Sequence, residues 1–266
     1  MKTPRVDKAP VLFITTVLVS LFMIVPMVIS IMAGLVENYS KGISSGFTLK
    51  WLEQVWSVYG STVSASIGLA LTCVLCTIVM GVPCAYTLAR SRSRLARTFE
   101  ELITLPVAIP GLATALALIL AYGSITAFRQ SFAFILVGHV IFTLPFMIRT
   151  VSSSFQRHEL LAIEEAARTL GASFSQRFLG VLIPAVLPSI AAGTLMVFTL
   201  SIGEFNLTWM LHTPLTRTLP VGLADSYASM RLEVGSAYTL IFFIVILPTL
   251  WLLQAATSFI QKRYAT

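Results

Sequence analysis

Along the chain, apolar residues gather into blocks of about 20, the length a helix needs to cross a hydrocarbon core at 1.5 Å rise per residue. The polar residues are swept into the gaps between blocks. Six spans follow: Val11 to Leu35, Ser61 to Ala89, Glu101 to Tyr122, Phe132 to Ile148, Val181 to Ile202 and Ala237 to Phe259. The predicted fold class is an all-α membrane protein with six transmembrane helices, and residues 1–266 form a single transmembrane domain. The short alternating strands of a membrane barrel are not the pattern seen.

The gaps carry their own signals. Leu52, Val55, Trp56 and Tyr59 share one helical face, which predicts a short helix in the outer interface or an ordinary packed helix outside the membrane. The segment from Glu204 to Gly235 is the longest outer connection, and its short apolar runs, punctuated at Pro214 and Pro220, predict an ordered lid or docking surface. Pro106 and Pro110 each remove a backbone donor and predict a bend in the third span, which suits either a helix lining a cavity or a packing kink.

Composition agrees with a bilayer as solvent, since 56% of residues are hydrophobic, 11% are charged and the mean hydropathy is +0.87. A net charge of +7 invites nucleic acid as a partner, but the basic residues cap apolar blocks and form no stripe, so no nucleic acid is expected and membrane lipid explains them. With the N-terminus in the cytoplasm, 13 of the 18 basic residues lie inside, among them Lys2, Arg5, Lys8, Lys262 and Arg263, so both termini are expected there. The apolar stretch after Lys8 is too long for the core of a signal peptide and reads as a retained span.

Catalytic chemistry finds little to stand on. No P-loop sequence occurs, so ATP hydrolysis by that route needs a partner. Cys73, Cys76 and Cys84 fall inside one apolar block without a second ligand pair and read as small buried residues, giving no metal and no cofactor site. His139 stands in the fourth span without a neighbouring carboxylate and reads as a hydrogen-bonded packing residue before a proton relay. The triplets at Asn38 and Asn206 match a glycosylation acceptor too short to carry weight. The acidic residues are dispersed, which disfavours an enzyme, and neither intramembrane ionisable pairs nor inverted repeats point to an ion-gradient carrier.

The informative stretch is the long inner connection from Arg149 to Gly180. His158 to Leu170 is a run of strong helix formers that stops at Gly171, a residue free to take the left-handed conformation at a helix end. Ser173 and Gln176 then have the spacing of a capping box for a second helix. The two helices predict a rigid elbow, with Ala166 and Ala167 low enough for close approach and Glu165 and Arg168 at the rim.

Glu165-Ala166-Ala167, three residues, Gly171, nine residues, then Val181-x-Ile183-Pro184 resembles the coupling loop of type I ABC importer permeases, with Val and Ile standing where the pattern has Ile and Leu. Leu105-Pro106 to Pro110 and Leu144-Pro145 to Arg149 are similar to other stretches of that family, and Gly203-Glu204-Phe205 with Thr218-Leu219-Pro220 resembles the subset serving small oxyanions, ferric iron, polyamines and phosphonates, 2-aminoethylphosphonate most of all. The resemblance implies a coupling elbow between spans 4 and 5, with Glu165, Ala166, Ala167, Arg168, Gly171 and Pro184 facing the ATPase. It also implies two ATPase subunits inside, a second permease (self or sister), a periplasmic binding protein and a place in a bacterial inner membrane. Glu204 is the carboxylate next to a span interior and must reach water, a partner or a cavity. With Phe205, Asn206 and Pro110 it is a candidate for the pathway or its gate; the plainer reading is a carboxylate that meets solvent or caps local backbone.

Overall fold

The computed structural model describes residues 9–264, with side chains described as far as Ile260. Lys2, Arg5 and Lys8, which flank the first span, lie outside the described residues, as do the side chains of Lys262 and Arg263. Helices dominate the chain: α1 (Ala9–Ala33), α2 (Lys50–Arg90), α3 (Arg94–Ala108), α4 (Gly111–Tyr122), α5 (Thr126–Arg129), α6 (Phe132–Phe155), α7 (His158–Thr169), α8 (Phe174–Arg177), α9 (Ile183–Ile202), α10 (Asn206–Leu211), α11 (Leu219–Ala228) and α12 (Leu232–Tyr264). Five stretches among the described residues are long and apolar enough to cross a membrane, and α3 with α4 makes a sixth if the bent pair is one span.

That pair corrects the expected third span. The axes of α3 and α4 differ by 106°, so Glu101 to Tyr122 is a sharply broken element and not a bent rod. Pro110 supplies the reason: its ring holds the preceding Ile109 extended, at φ −88° and ψ 132°, and helix cannot continue through it. Pro106, in contrast, is accommodated inside α3.

The short interface helix expected at Leu52 to Tyr59 is also corrected, because those residues are the opening turns of the 41-residue α2. Gly60 and Ser61 lower helix propensity by only about 1 kcal/mol and supply no stop, so the helix runs on. The fourth span extends past Ile148 to Phe155. The fifth begins earlier than expected, at α8, and passes through a π-turn at Phe178–Leu182 into α9. Pro184 explains the widened turn: it has no N–H to give Gly180, and Ile183 donates to the carbonyl of Phe178 instead.

The chain forms two compact units. The first comprises the described part of Met1–Gly60 with Gly222–Ile244. Here Gly34 lets α1 approach α12 so closely that an added Cβ would sit 2.6 Å from the backbone N of Ala237. The Tyr227 hydroxyl reaches those of Ser30 (3.1 Å) and Ser236 (3.3 Å), and Trp51 Nε1 donates to the carbonyl of Val36 at 3.0 Å. Asn38 accepts from the N–H groups of Ser40 and Lys41, capping a 3₁₀ turn at Tyr39–Ser45.

The second unit comprises Ser61–Val221 with the chain from Val245 onward. Its centre is α6 against α9, where Gly193 faces Met147 closely enough that a Cβ would meet the sulfur at 2.7 Å. A core of Leu69, Ala115, Leu118, Phe134, Ile135, Leu207 and Leu211 joins α2, α4, α6 and α10. The elbow formed by α7 and α8 and the turn bearing Glu204 both belong to this unit.

Candidate functional site

Two places gather the residues singled out by the sequence. At the elbow, α7 ends in a Schellman turn: the Gly171 N–H donates to Arg168 O at 3.0 Å and the Ala172 N–H to Ala167 O at 3.1 Å. Gly171 sits at φ +83°, in the left-handed region, with open space around its α-carbon. The capping box of α8 is complete, the Ser173 N–H donating to Gln176 Oε1 at 2.8 Å and the Gln176 N–H to Ser173 Oγ at 3.4 Å. The two expected helices and the sharp turn at Gly171 and Ala172 are therefore present.

Glu165, Ala166, Arg168 and Gly171 are exposed, whereas Ala167 is half-buried, on the side of α7 turned toward the protein. Pro184 lies apart from them, as the second residue of α9, where it shapes the π-turn beneath the elbow. Two apolar side chains missed by motif reading complete the outer surface: Leu170 is 88% exposed and Phe174 is 55% exposed.

The inward face of α7 carries a residue that sequence reasoning also passed over. Glu164 pairs with Arg90 of α2, Nε to Oε2 at 2.7 Å, and accepts from the Tyr86 hydroxyl at 2.6 Å. Arg90 Nη1 donates to the carbonyl of Phe155 at the end of α6. A signal was there to read: Leu160, Glu164 and Ala167 follow the helical spacing of one face, and Leu160 is buried.

At the other place, Glu204 closes α9 and opens α10. Its carboxylate accepts from the Leu207 N–H (3.0 and 3.1 Å to its two oxygens) and the Thr208 N–H (3.1 Å), satisfying donors of the first turn of α10. A negative charge at a helix N-terminus also opposes the helix dipole. Glu204 thus caps local backbone, the plainer of its two readings, and a pathway role has to act together with that cap.

The first turn of α4 meets this corner. A Cβ on Gly111 would lie 3.4 Å from Glu204 Oε1 and 3.5 Å from the Asn206 Cβ, so the break after Pro110 brings α4 against Glu204 and Asn206. Phe205 packs on Trp209 with ring centroids 5.4 Å apart, and Asn206 is exposed. At the far end of α10, Arg129 donates to the carbonyls of Leu211 (2.7 Å) and Met210 (3.3 Å). Both ends of this six-residue helix are held by charged side chains.

His139 links α6 to the same corner. Its ring nitrogens lie 2.8 Å from Ser201 Oγ and 2.8 Å from Thr208 Oγ1, fully inside the protein. The Thr208 hydroxyl has one proton and also faces the Glu204 carbonyl at 3.1 Å. When that proton goes to Glu204, His139 Nε2 carries the proton of its bond to Thr208, and Nδ1 accepts from Ser201. This is the hydrogen-bonded packing role expected of a lone histidine. Replacing it with leucine takes the partner from the buried Ser201 hydroxyl, while Thr208 keeps Glu204, and His139→Leu is expected to cost about 1–3 kcal/mol. A lowered thermal midpoint of the purified complex checks it, and an unchanged midpoint contradicts it. Cys73 of α2 is buried against α6, its sulfur 3.2 Å from Thr143 Oγ1.

Residues 77–262 match the family described as binding-protein-dependent transport system inner membrane component. The molybdenum transport system permease protein ModB of Mycobacterium tuberculosis is 31% identical over 166 residues, which is 57% of this chain and 62% of that protein, so less than two thirds of that relative is spanned. The permease protein PhnV of Salmonella choleraesuis, named for 2-aminoethylphosphonate transport, is 23% identical over 252 residues, 94% of this chain and 95% of its own. The putrescine transport system permease protein PotI of Escherichia coli is 25% identical over 224 residues, 80% of this chain and 78% of its own. In three dimensions, the solved MetNI methionine ABC transporter, in inward-facing form, aligns with a TM-score of 0.64 over 80% of this chain and 98% of that one, at 17% identity, a likeness of fold.

Proposed function

The chain belongs to the binding-protein-dependent transport system inner membrane components, the permease subunits of ABC importers, and from that premise we propose how it works and what it carries. It pairs with itself or a sister permease and carries two ATPase subunits on the cytoplasmic side, where both termini lie. A periplasmic binding protein delivers a small polar solute from outside.

The elbow is the dock for the ATPase. Glu165, Ala166, Ala167, Arg168 and Gly171 make its contacts, and Pro184 sets the turn on which it is mounted. The observation that carries this reading is the preformed, outward-facing knob: a left-handed glycine and a complete capping box hold two short helices at a fixed angle without help from a partner. Glu204, Phe205, Asn206 and Pro110 belong to the outer mouth of the pathway, with Glu204 holding α10 in place. Transport is non-covalent, a rocking of the paired permeases between two states driven by the partner ATPase. The residues of this chain supply no catalytic group or cofactor.

For the solute, 2-aminoethylphosphonate stands first, because the relative named for it aligns over nearly the whole chain. Molybdate, a polyamine such as putrescine, and ferric iron are the competing cargoes. ATP-dependent uptake of each by the complex in proteoliposomes, with the cognate binding protein, is the test. Uptake of 2-aminoethylphosphonate at least tenfold above the others is expected. A complex that transports another solute while ignoring it discards the assignment and leaves the permease role intact.

A further inference from the structure

The elbow joins α6 through Gln156 and Arg157 and joins α9 through the π-turn, but no peptide bond ties it to α2. A cluster of side chains connects them. Arg90, the last residue of α2, reaches Glu164 on α7 and the carbonyl of Phe155 at the end of α6. Tyr86, one turn earlier, gives its hydroxyl to the other oxygen of Glu164. The Tyr86 ring packs against Phe155, Phe174 and Phe178, with centroids 5.3 to 5.9 Å away, so α8 is gathered into the same cluster.

We propose that Arg90, Glu164 and Tyr86 form the joint through which movement of the elbow reaches α2, and that they are positioning residues for coupling. The proposal rests on the elbow being the ATPase dock.

Three physical features set this cluster apart from an ordinary surface ion pair. It is shielded, with Arg90 and Glu164 side chains 17% and 14% exposed, where the surface pair of Lys50 with Glu37 is 47% and 63% exposed. Shielding lowers screening and strengthens the attraction. The bonds are also directional and charge-assisted. Apolar packing resists a push but little resists a pull or a twist, whereas a carboxylate held at both oxygens transmits all three. Finally, the guanidinium satisfies a carbonyl at the C-terminus of α6. One cation therefore ties together the ends of two long helices and the inward face of the elbow, while the outward face stays free.

The test uses the assembled complex in proteoliposomes with loaded binding protein, and reads two quantities: fold stimulation of ATP hydrolysis by the binding protein, and solute moved per ATP hydrolysed. Arg90→Gln and Glu164→Gln are expected to keep the ATPase subunits bound and basal hydrolysis running while both readouts fall tenfold or more. The double variant is expected to be no worse than either single one, because each removes the same joint. Tyr86→Phe keeps the ring packing and loses one hydroxyl, so it folds as the parent does; a three- to fivefold loss of stimulation is expected. A merely structural role would lower the yield of assembled complex and leave the ratio of solute to ATP unchanged, and that outcome overturns the proposal. So does a Tyr86→Phe complex within the error of the parent. Gly171→Val serves as the separating control. If it leaves ATPase binding and stimulation untouched, the elbow is not the dock and the premise fails. If it abolishes them while Tyr86→Phe and Glu164→Gln remain coupled, the dock stands and the joint alone falls.

Discussion

A Gly171→Val permease is expected to fold and insert, yet to bind its ATPase about tenfold more weakly and to lose stimulated hydrolysis in proportion. At φ +83°, a residue with a Cβ pays a conformational penalty of about 1–2 kcal/mol. A penalty of about 1.4 kcal/mol is a tenfold change in the equilibrium constant between the native turn and its alternatives. Nothing lies within 4 Å of the position an added Cβ would take, so the cost comes from backbone conformation and not from collision. This separates a graded series. Asn tolerates the left-handed region and is expected to stay within threefold of the parent; Ala falls between; Val, branched at Cβ, is worst. Without the turn, α7 and α8 lose their fixed angle, and the Schellman bonds from Gly171 and Ala172 go with it. Affinity of the purified ATPase for the permease across the series is the measurement. Equal affinities for the Asn and Val variants would show that docking does not use the geometry of this turn and would overturn the elbow as the dock.

The second large effect is expected at Glu204. Its carboxylate receives two backbone N–H groups and lies 3.3 Å from the Thr208 hydroxyl, all at the first turn of α10. Hydrogen bonds to a charged group contribute roughly 1.5–3 kcal/mol each, net of exchange with water. Glu204→Ala is therefore expected to fray α10, to release its hold on Leu207 and Leu211 in the core, and to cut transport tenfold or more. Glu204→Gln keeps an acceptor oxygen and removes the charge. If Glu204 works by fixing α10, and through it Phe205 and Asn206, the glutamine variant keeps more than half of the transport rate. If transport instead depends on the charge, Gln and Ala fail alike, and the carboxylate acts on the solute or the gate directly. Initial uptake rates on complexes of matched thermal stability decide between them.

Much of this molecule can be read from its residues in order. Helix starts and stops at the elbow depend on neighbours in sequence, so Gly171 and the Ser173–Gln176 pair announce their own geometry. The apolar blocks report the bilayer in the same way, because a helix needs only its own residues to satisfy its backbone in hydrocarbon. Local signals can also be outvoted. The face made by Leu52, Val55 and Tyr59 looked like a separate helix, but nothing at Gly60 stops the turn, and cooperative helix propagation carries it into α2.

What only the tertiary structure decided are the meetings of distant residues. Pro110 marks a bend in the sequence, yet the 106° angle and the approach of Gly111 to Glu204 depend on how α4 packs against α10. His139 is a lone histidine in the sequence and finds Ser201 and Thr208 only when α6, α9 and α10 come together. Arg90 and Glu164 stand 74 positions apart, and no periodicity joins them. The physical reason is the same in each case. Helix and span follow from bonds and burial within a few turns, whereas a charge or polar group in a shielded place is settled by whichever partner packing brings within hydrogen-bonding distance.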